Sequence, residues 1–198
     1  MTPWFYVISK AFVRMVLTIV GRISAIDAHN VPRTGPLIIA SNHIAYLDPP
    51  ALGCVTPRVV TYMAKKELFD IKLLELFIRP LGAFPIDRSG DIAAMKAAIG
   101  VLRTGACLGI FPEGTRNKEG SEKAQLGVAL LASLSGAPVL PAYVSGTSHA
   151  RRFAKITVVF GEPLRFTLGR KARREDLAKW TDELMGRIYA LREKIDGN

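Results

Sequence analysis

His43 and Asp48 stand five residues apart in "SNHIAYLDPP", residues 41–50. The pair has the makings of a general base and its orienting carboxylate. A carboxylate on one imidazole nitrogen fixes the tautomer and stabilises the protonated ring, leaving the other nitrogen to take a proton. Asp48 also directly precedes Pro49, a good helix start with Asp48 as N-cap and Pro49 at the first helical position. A helix N-terminus nearby disfavours charge on the ring and helps keep the base neutral. By itself His-x4-Asp does not separate catalysis from capping.

Two further stretches carry matching chemistry. In "FPEGTR" (111–116), Gly114 allows a tight turn that brings backbone close to a ligand. Arg116 offers a forked donor suited to phosphate, and Thr115 adds a hydroxyl. Glu113 either orients Arg116 or accepts from a substrate hydroxyl. "PIDRSG" (85–90) supplies a second arginine, Arg88, beside Asp87.

The elements that must position these groups follow from the apolar pattern. Strand-like runs are "LIIAS" (37–41), "VVTYM" (59–63), "AFPI" (83–86), "CLGIF" (107–111), "VLPAYV" (139–144) and "KITVVF" (155–160). Helical stretches fall at about 66–79, 91–104, 122–135 and 173–194; the last carries Leu177, Trp180, Leu184, Ile188 and Leu191 at three- and four-residue spacing. This alternation predicts a single α/β domain, with a mostly parallel or mixed sheet flanked by helices. Ligands in such sheets gather beyond the carboxyl ends of strands. All three polar stretches lie at strand ends, so the sheet would bring them together.

Residues 1–30 read differently from residues 31–198. The segment 3–24 is apolar, yet Lys10, Arg14 and Arg22 interrupt it, and the longest charge-free stretch at this end of the chain is residues 1–9. That is about half of the roughly 20 residues a membrane span needs. Lys10, Arg14, Thr18 and Arg22 step by four and line one side, and Trp4, Phe5, Val7, Ile8, Phe12, Met15, Leu17, Ile19 and Ile23 occupy much of the rest. The pattern predicts an N-terminal amphipathic helix lying in a membrane interface, with its cations at the headgroups. Lys plus Arg exceed Asp plus Glu for a net charge of +10, which favours an anionic partner. "GRKARR" (169–174) and Arg151–Arg152 would add to that surface. Cys54 and Cys107 fit no metal or redox motif, and no metal constellation appears. His29 and His149 read as surface-loop residues.

Together the motifs resemble the glycerolipid acyltransferases, most closely the lysophosphatidate acyltransferase branch. That family carries N-H-x4-D, G-x-[IF]-x-[IV]-D-R, [FL]-P-E-G-[TS]-R and a downstream [VI]-P block, in that order. The counterparts are "NHIAYLD" (42–48), "GAFPIDR" (82–88), "FPEGTR" (111–116) and "APVLPAYVSG" (137–146), and "AKKELF" (64–69) resembles a further element. The resemblance spans residues 31–162. Pro85 departs from the family's apolar residue and predicts an edge or bulged strand there.

The resemblance implies transfer of a fatty acyl group from acyl-CoA or acyl carrier protein to the free hydroxyl of 1-acylglycerol-3-phosphate, giving phosphatidic acid. His43 and Asp48 would be catalytic. Arg88, Glu113, Gly114, Thr115 and Arg116 would hold the glycerol phosphate, helped by Lys65 or Lys66, and Pro141 would shape an acyl pocket. No cofactor and no metal are implied. Backbone N–H groups near the histidine turn are the candidates for oxyanion stabilisation. The expected location is the cytoplasmic face of the cell membrane, held by the N-terminal helix on an anionic lipid surface. Another lysophospholipid or glycerol-3-phosphate is the alternative acceptor. Two rivals differ in kind. Cys54 could act as a covalent nucleophile, but its neighbours Leu52, Gly53 and Val55 suit a buried thiol. A basic membrane-surface or nucleic-acid binding protein would leave the ordered motifs unexplained. Stacking aromatics do not alternate with the basic residues, so no nucleic acid is expected as a partner.

Overall fold

The computed structural model describes residues 3–79, 82–86, 91–114, 124–152 and 154–196 of the chain. Among these the strands are β1 (Ser24–Ile26), β2 (Leu37–Ser41), β3 (Val60–Lys65), β4 (Ala83–Ile86), β5 (Cys107–Ile110), β6 (Val139–Ser145) and β7 (Thr157–Phe160). They form one sheet in the order β1-β7-β6-β2-β5-β3-β4, parallel except where β6 meets β7. The single α/β domain with a mostly parallel sheet is as the alternation predicts. β2 is buried at every residue, the continuous apolar run that a central parallel strand requires.

Helices cover both faces. On one side α1 (Pro3–Gly21) and α2 (Asp48–Val55) pack over Leu37, Ile39, Leu140 and Val144. On the other, α5 (Asp91–Arg103), α6 (Gly127–Ser135) and α7 (Arg174–Ala190) pack over Ile38, Ala40 and Leu108. The stretch 66–79 divides into α3 (Glu67–Asp70) and α4 (Lys72–Ile78), because Ile71 is extended between them. A short α8 (Glu193–Asp196) follows α7. Leu177, Leu184, Ile188 and Leu191 are buried, and Trp180 packs edge-on against Phe166. Pro85 sits in β4, an edge strand paired only with β3, where its missing N–H faces no partner strand.

β1 was not anticipated. It lies within residues 1–30 and pairs with β7, so the sheet starts before residue 31.

α1 corrects one detail of the amphipathic reading. Lys10 does not face outward; its Nζ donates to the backbone carbonyl of Thr56 at the end of α2. Tyr6, Val13 and Leu17 share its inward side. A step of four residues turns about 40° around a helix, so the stripe begins on the buried side at Lys10 and reaches solvent from Arg14 onward, at Thr18 and Arg22 as well. The outward side carries Trp4, Val7, Ile8, Phe12, Met15 and Ile19, all more than half exposed. No helix among the described residues is long and apolar enough to cross a membrane. The basic run at 169–174 also sits elsewhere than expected. Its turn Gly169–Lys171 packs on α6, on the sheet face opposite α1.

Candidate active site

The site forms where three adjacent strands, β5, β2 and β6, end side by side. β2 hands over to the loop through Asn42, a buried residue that sequence reasoning left without a role. Its side chain donates to the carbonyl of Val144 at 2.9 Å and accepts from the Val144 N–H at 2.7 Å. This amide continues the β2–β6 ladder one step past its last backbone pair, Ser41 with Ala142. His43 therefore leaves the sheet from a fixed point.

His43 Nδ1 lies 2.9 Å from Asp48 Oδ2. The same oxygen accepts from the N–H of Ile44 at 2.6 Å and of Ala45 at 2.7 Å. The other oxygen, Oδ1, accepts from the Thr147 hydroxyl at 2.5 Å. Asp48 is fully buried, whereas 18% of the His43 side chain is exposed. The imidazole stacks on Phe111 of the β5 end at 4.3 Å, and Phe111 in turn stacks on Tyr62 of β3 at 6.3 Å. Gly109 makes room for that column, since a Cβ there would lie 2.3 Å from the Tyr62 ring. The Tyr62 hydroxyl donates to the carbonyl of Pro49, which ties the column to the first turn of α2.

Asp48 is not the helix cap. α2 begins at Asp48 with Leu47 before it, and no side chain caps its N-terminus. The carboxylate is turned back into the loop because Ile44, Ala45 and Thr147 offer it donors there. Pro49 does fall in the first turn, where a missing N–H costs nothing.

Glu113 is buried at the end of β5, and its described bonds run to protein groups. Oε2 accepts from the backbone N–H of His43 at 2.9 Å, and Oε1 accepts from the Tyr189 hydroxyl of α7. Burial first, and then the Glu113 carboxylate, push the Tyr189 phenol above its ordinary range, so it stays a donor. The N–H groups of His43, Ile44 and Ala45 are thus committed to two carboxylates. They are not the oxyanion donors that the histidine turn had suggested. Three successive amides aimed at carboxylates form an anion-binding nest already filled by the protein itself.

Gly114 has φ of 70°, and a Cβ there would lie 2.4 Å from the Gln125 side chain, so the turn after Glu113 requires glycine. Arg88, Thr115 and Arg116 lie outside the described residues. Lys65 ends β3 and Lys66 follows it, both at the carboxyl edge of the sheet, with Lys66 exposed. Pro141 is buried within β6 against Gly161. It shares the sheet face of Val139 and Tyr143, away from α2. His29 and His149 are exposed. Cys54 is buried in α2, and burial pushes its thiol up to about 11.

Two partners of the site were out of reach of sequence reasoning. Thr147 sits in "GTSHARR", which reads as an ordinary turn, and Tyr189 lies on a helix whose pattern announces only a core face. The signal available for Thr147 was its place just beyond a strand adjacent to β2.

Comparison with known proteins places the chain in a family. The family model described as acyltransferase matches residues 22–145. A 1-acyl-sn-glycerol-3-phosphate acyltransferase of Bacillus subtilis (strain 168) is 32% identical over 92% of this chain and 94% of its own. One from Borreliella burgdorferi is 29% identical over 73% of this chain, which spans 60% of that relative. The crystal structure of the 1-acyl-sn-glycerophosphate (LPA) acyltransferase PlsC from Thermotoga maritima superposes with a TM-score of 0.75 at 25% identity. The match covers 95% of this chain and 78% of that one. With more than half of its length matched and a relative of this identity end to end, the chain belongs to the acyltransferase family.

Proposed function

We propose that the protein transfers a fatty acyl group from acyl-CoA or acyl carrier protein to the free hydroxyl of 1-acylglycerol-3-phosphate, giving phosphatidic acid. The observation that carries this reading is the 2.9 Å contact of His43 Nδ1 with buried Asp48. It holds the tautomer with hydrogen on Nδ1, and Nε2 has no protein partner among the described residues. The names of the similar proteins support the acceptor.

In the reaction, His43 Nε2 takes the proton of the acceptor hydroxyl as its oxygen attacks the thioester carbonyl. Asp48 stays ionised and stabilises the imidazolium. Collapse of the tetrahedral adduct expels the thiolate, which takes the proton back from the imidazolium. The acceptor attacks directly, so no acyl-enzyme forms. The phosphate falls to Arg88, Thr115 and Arg116, with Gly114 shaping the turn and Lys65 or Lys66 approaching from the end of β3. Glu113 acts in this scheme by holding the His43 backbone rather than by touching the acceptor. The outward side of α1 rests in the lipid interface, so the acceptor need not leave the bilayer.

The test supplies purified protein with vesicles containing 1-acylglycerol-3-phosphate, other lysophospholipids or glycerol-3-phosphate, and palmitoyl or oleoyl groups on each type of donor. Phosphatidic acid formed by the wild type and not by His43→Ala is the expected result. Absence of transfer to every acceptor would sink the assignment, and preference for a different acceptor would relocate it within the family.

A further inference from the structure

We propose that Thr147 is a positioning residue for the general base: its hydroxyl sets the rotation of the Asp48 carboxylate, and through it the ring of His43. The inference rests on the reading of His43 and Asp48 as the proton-transfer pair.

The two oxygens of Asp48 are held from different parts of the chain. Oδ2 takes donors from residues 43, 44 and 45, all in the loop that Asp48 itself closes. Rotation about the Cβ–Cγ bond swings both oxygens together, so these three donors and a donor at Oδ1 hold one and the same rotation from opposite ends. Thr147 arrives from 99 residues away, at the end of β6, and is the donor at Oδ1 among the described residues. Its proton is committed, because a carboxylate can only accept. The hydroxyl therefore acts on Asp48, and neither as base nor as nucleophile.

Thr147 is itself firmly placed. It is buried, and the turn before it depends on Gly146, whose φ is 83° and where a Cβ would lie 2.1 Å from the Lys155 carbonyl oxygen. The segment Thr147–Arg152 also packs against α1. Deleting the hydroxyl would leave Oδ1 buried without a donor, a costly state for a charged group. The carboxylate relieves that cost by turning so that the loop amides are shared between its oxygens. The imidazole bound to Oδ2 then turns with it.

The experiment compares Thr147→Val, which keeps the shape and removes the donor, with Thr147→Ser, which keeps the donor. Each is assayed in vesicles with 1-acylglycerol-3-phosphate and oleoyl-CoA beside the wild type and His43→Ala. Thr147→Val is expected to lower kcat roughly tenfold, the scale of one hydrogen bond to a buried charge. KM for both substrates should stay within about twofold, and Thr147→Ser should recover most of kcat. In protein carrying 15N-histidine, the Nδ1–H resonance that His43→Ala removes should move in Thr147→Val and stay in place in Thr147→Ser. Wild-type kcat with an unmoved resonance in Thr147→Val overturns the proposal. So does equal loss in Val and Ser, which would assign the effect to the methyl group. Should the valine variant not fold, Ser against Ala makes the same comparison of hydroxyl present and absent. If His43→Ala keeps wild-type turnover, the reading of the pair fails on its own, and the resonance still decides whether Thr147 sets the ring.

Discussion

The loop 42–48 and the outward side of α1 are both rich in large side chains, yet they are finished in opposite ways. In the loop, Asn42, Asp48 and the amides of residues 43–45 all find partners inside the protein. On α1, Val7, Ile8, Phe12, Met15 and Ile19 are more than half exposed, Ile19 by 66%. A soluble domain rarely displays so continuous an apolar strip without a second phase to receive it. The His43 loop is thus satisfied within the fold, whereas the outward side of α1 leaves its apolar side chains exposed. The contrast teaches that the two regions are built differently, one on internal hydrogen bonds and the other on exposed apolar area. Tyr46, 75% exposed, is where the two regions come nearest in kind: a large side chain facing outward from the loop 42–48 itself.

Replacing His43 is the severest way to break the organised region. General-base catalysis contributes about 10²–10⁴-fold, so His43→Ala should lower kcat by roughly 10³. KM for the donor should change little, because the imidazole binds a proton that moves only in the transition state. A loss confined to KM would mean that His43 binds substrate instead.

The second region is tested by Ile8→Glu with Phe12→Glu. Burying each of these side chains contributes about 1.5–3 kcal/mol, so losing both should weaken vesicle binding by 10²-fold or more. Turnover of vesicle-borne acceptor should fall in parallel, while kcat on a short-chain, water-soluble acceptor should stay near wild type. If the soluble assay collapses too, α1 serves the core and the two regions are not separable. The inward side of α1 makes that outcome a real alternative, since Lys10 and Tyr6 bond to Thr56 and Val60.

Tyr189→Phe tests how far the organised region reaches. Its hydroxyl supports Glu113, which supports the His43 amide, so the effect passes through two bonds. A fall in kcat of about threefold to tenfold is expected, with KM steady, from the loss of one hydrogen bond to a buried carboxylate. Glu113→Gln should exceed it, because that change also disturbs the acceptor for His43 N–H. An equal or larger effect of Tyr189→Phe would place the tyrosine in contact with substrate.

What could be read from the sequence follows from how local each arrangement is. β2 and β4 match the expected runs to the residue, because short apolar runs bounded by turn residues announce themselves. The pairing of His43 with Asp48 was legible for the same reason: both partners lie within one turn of chain. Asp-Pro suggests a cap, but two amides of the same loop and the Thr147 hydroxyl from the end of β6 take that carboxylate instead. Glu113 beneath His43 depends on the β2–β5 register, and Thr147 on β6 lying beside β2, so neither contact exists in the sequence. β1 escaped because three residues carry too little pattern. Lys10 was misjudged because periodicity gives the spacing of a stripe but not the rotation of the helix on its core.

Cys54 supplies the smallest expected effect. A covalent route would need its thiolate near His43, yet the thiol is buried among core side chains and donates to the Ala51 carbonyl at 3.3 Å. Lys10 and Arg14 nearby favour the thiolate, but burial outweighs them and the thiol rises to about 11. At pH 7, four units lower, about one molecule in 10⁴ would carry the thiolate. The sign follows for stability: a raised acid favours the folded state's neutral thiol, so burial is harmless below about pH 9 and costs stability as pH climbs from there through 11. Cys54→Ala should therefore leave kcat within about twofold, at a cost of roughly 1 kcal/mol for the small cavity left behind. Native protein should also resist thiol-directed reagents at pH 8 until it is unfolded. Rapid modification of Cys54 with loss of turnover would reopen the covalent route, and with it the claim that the organised region needs only the His43 loop and the groups that hold it.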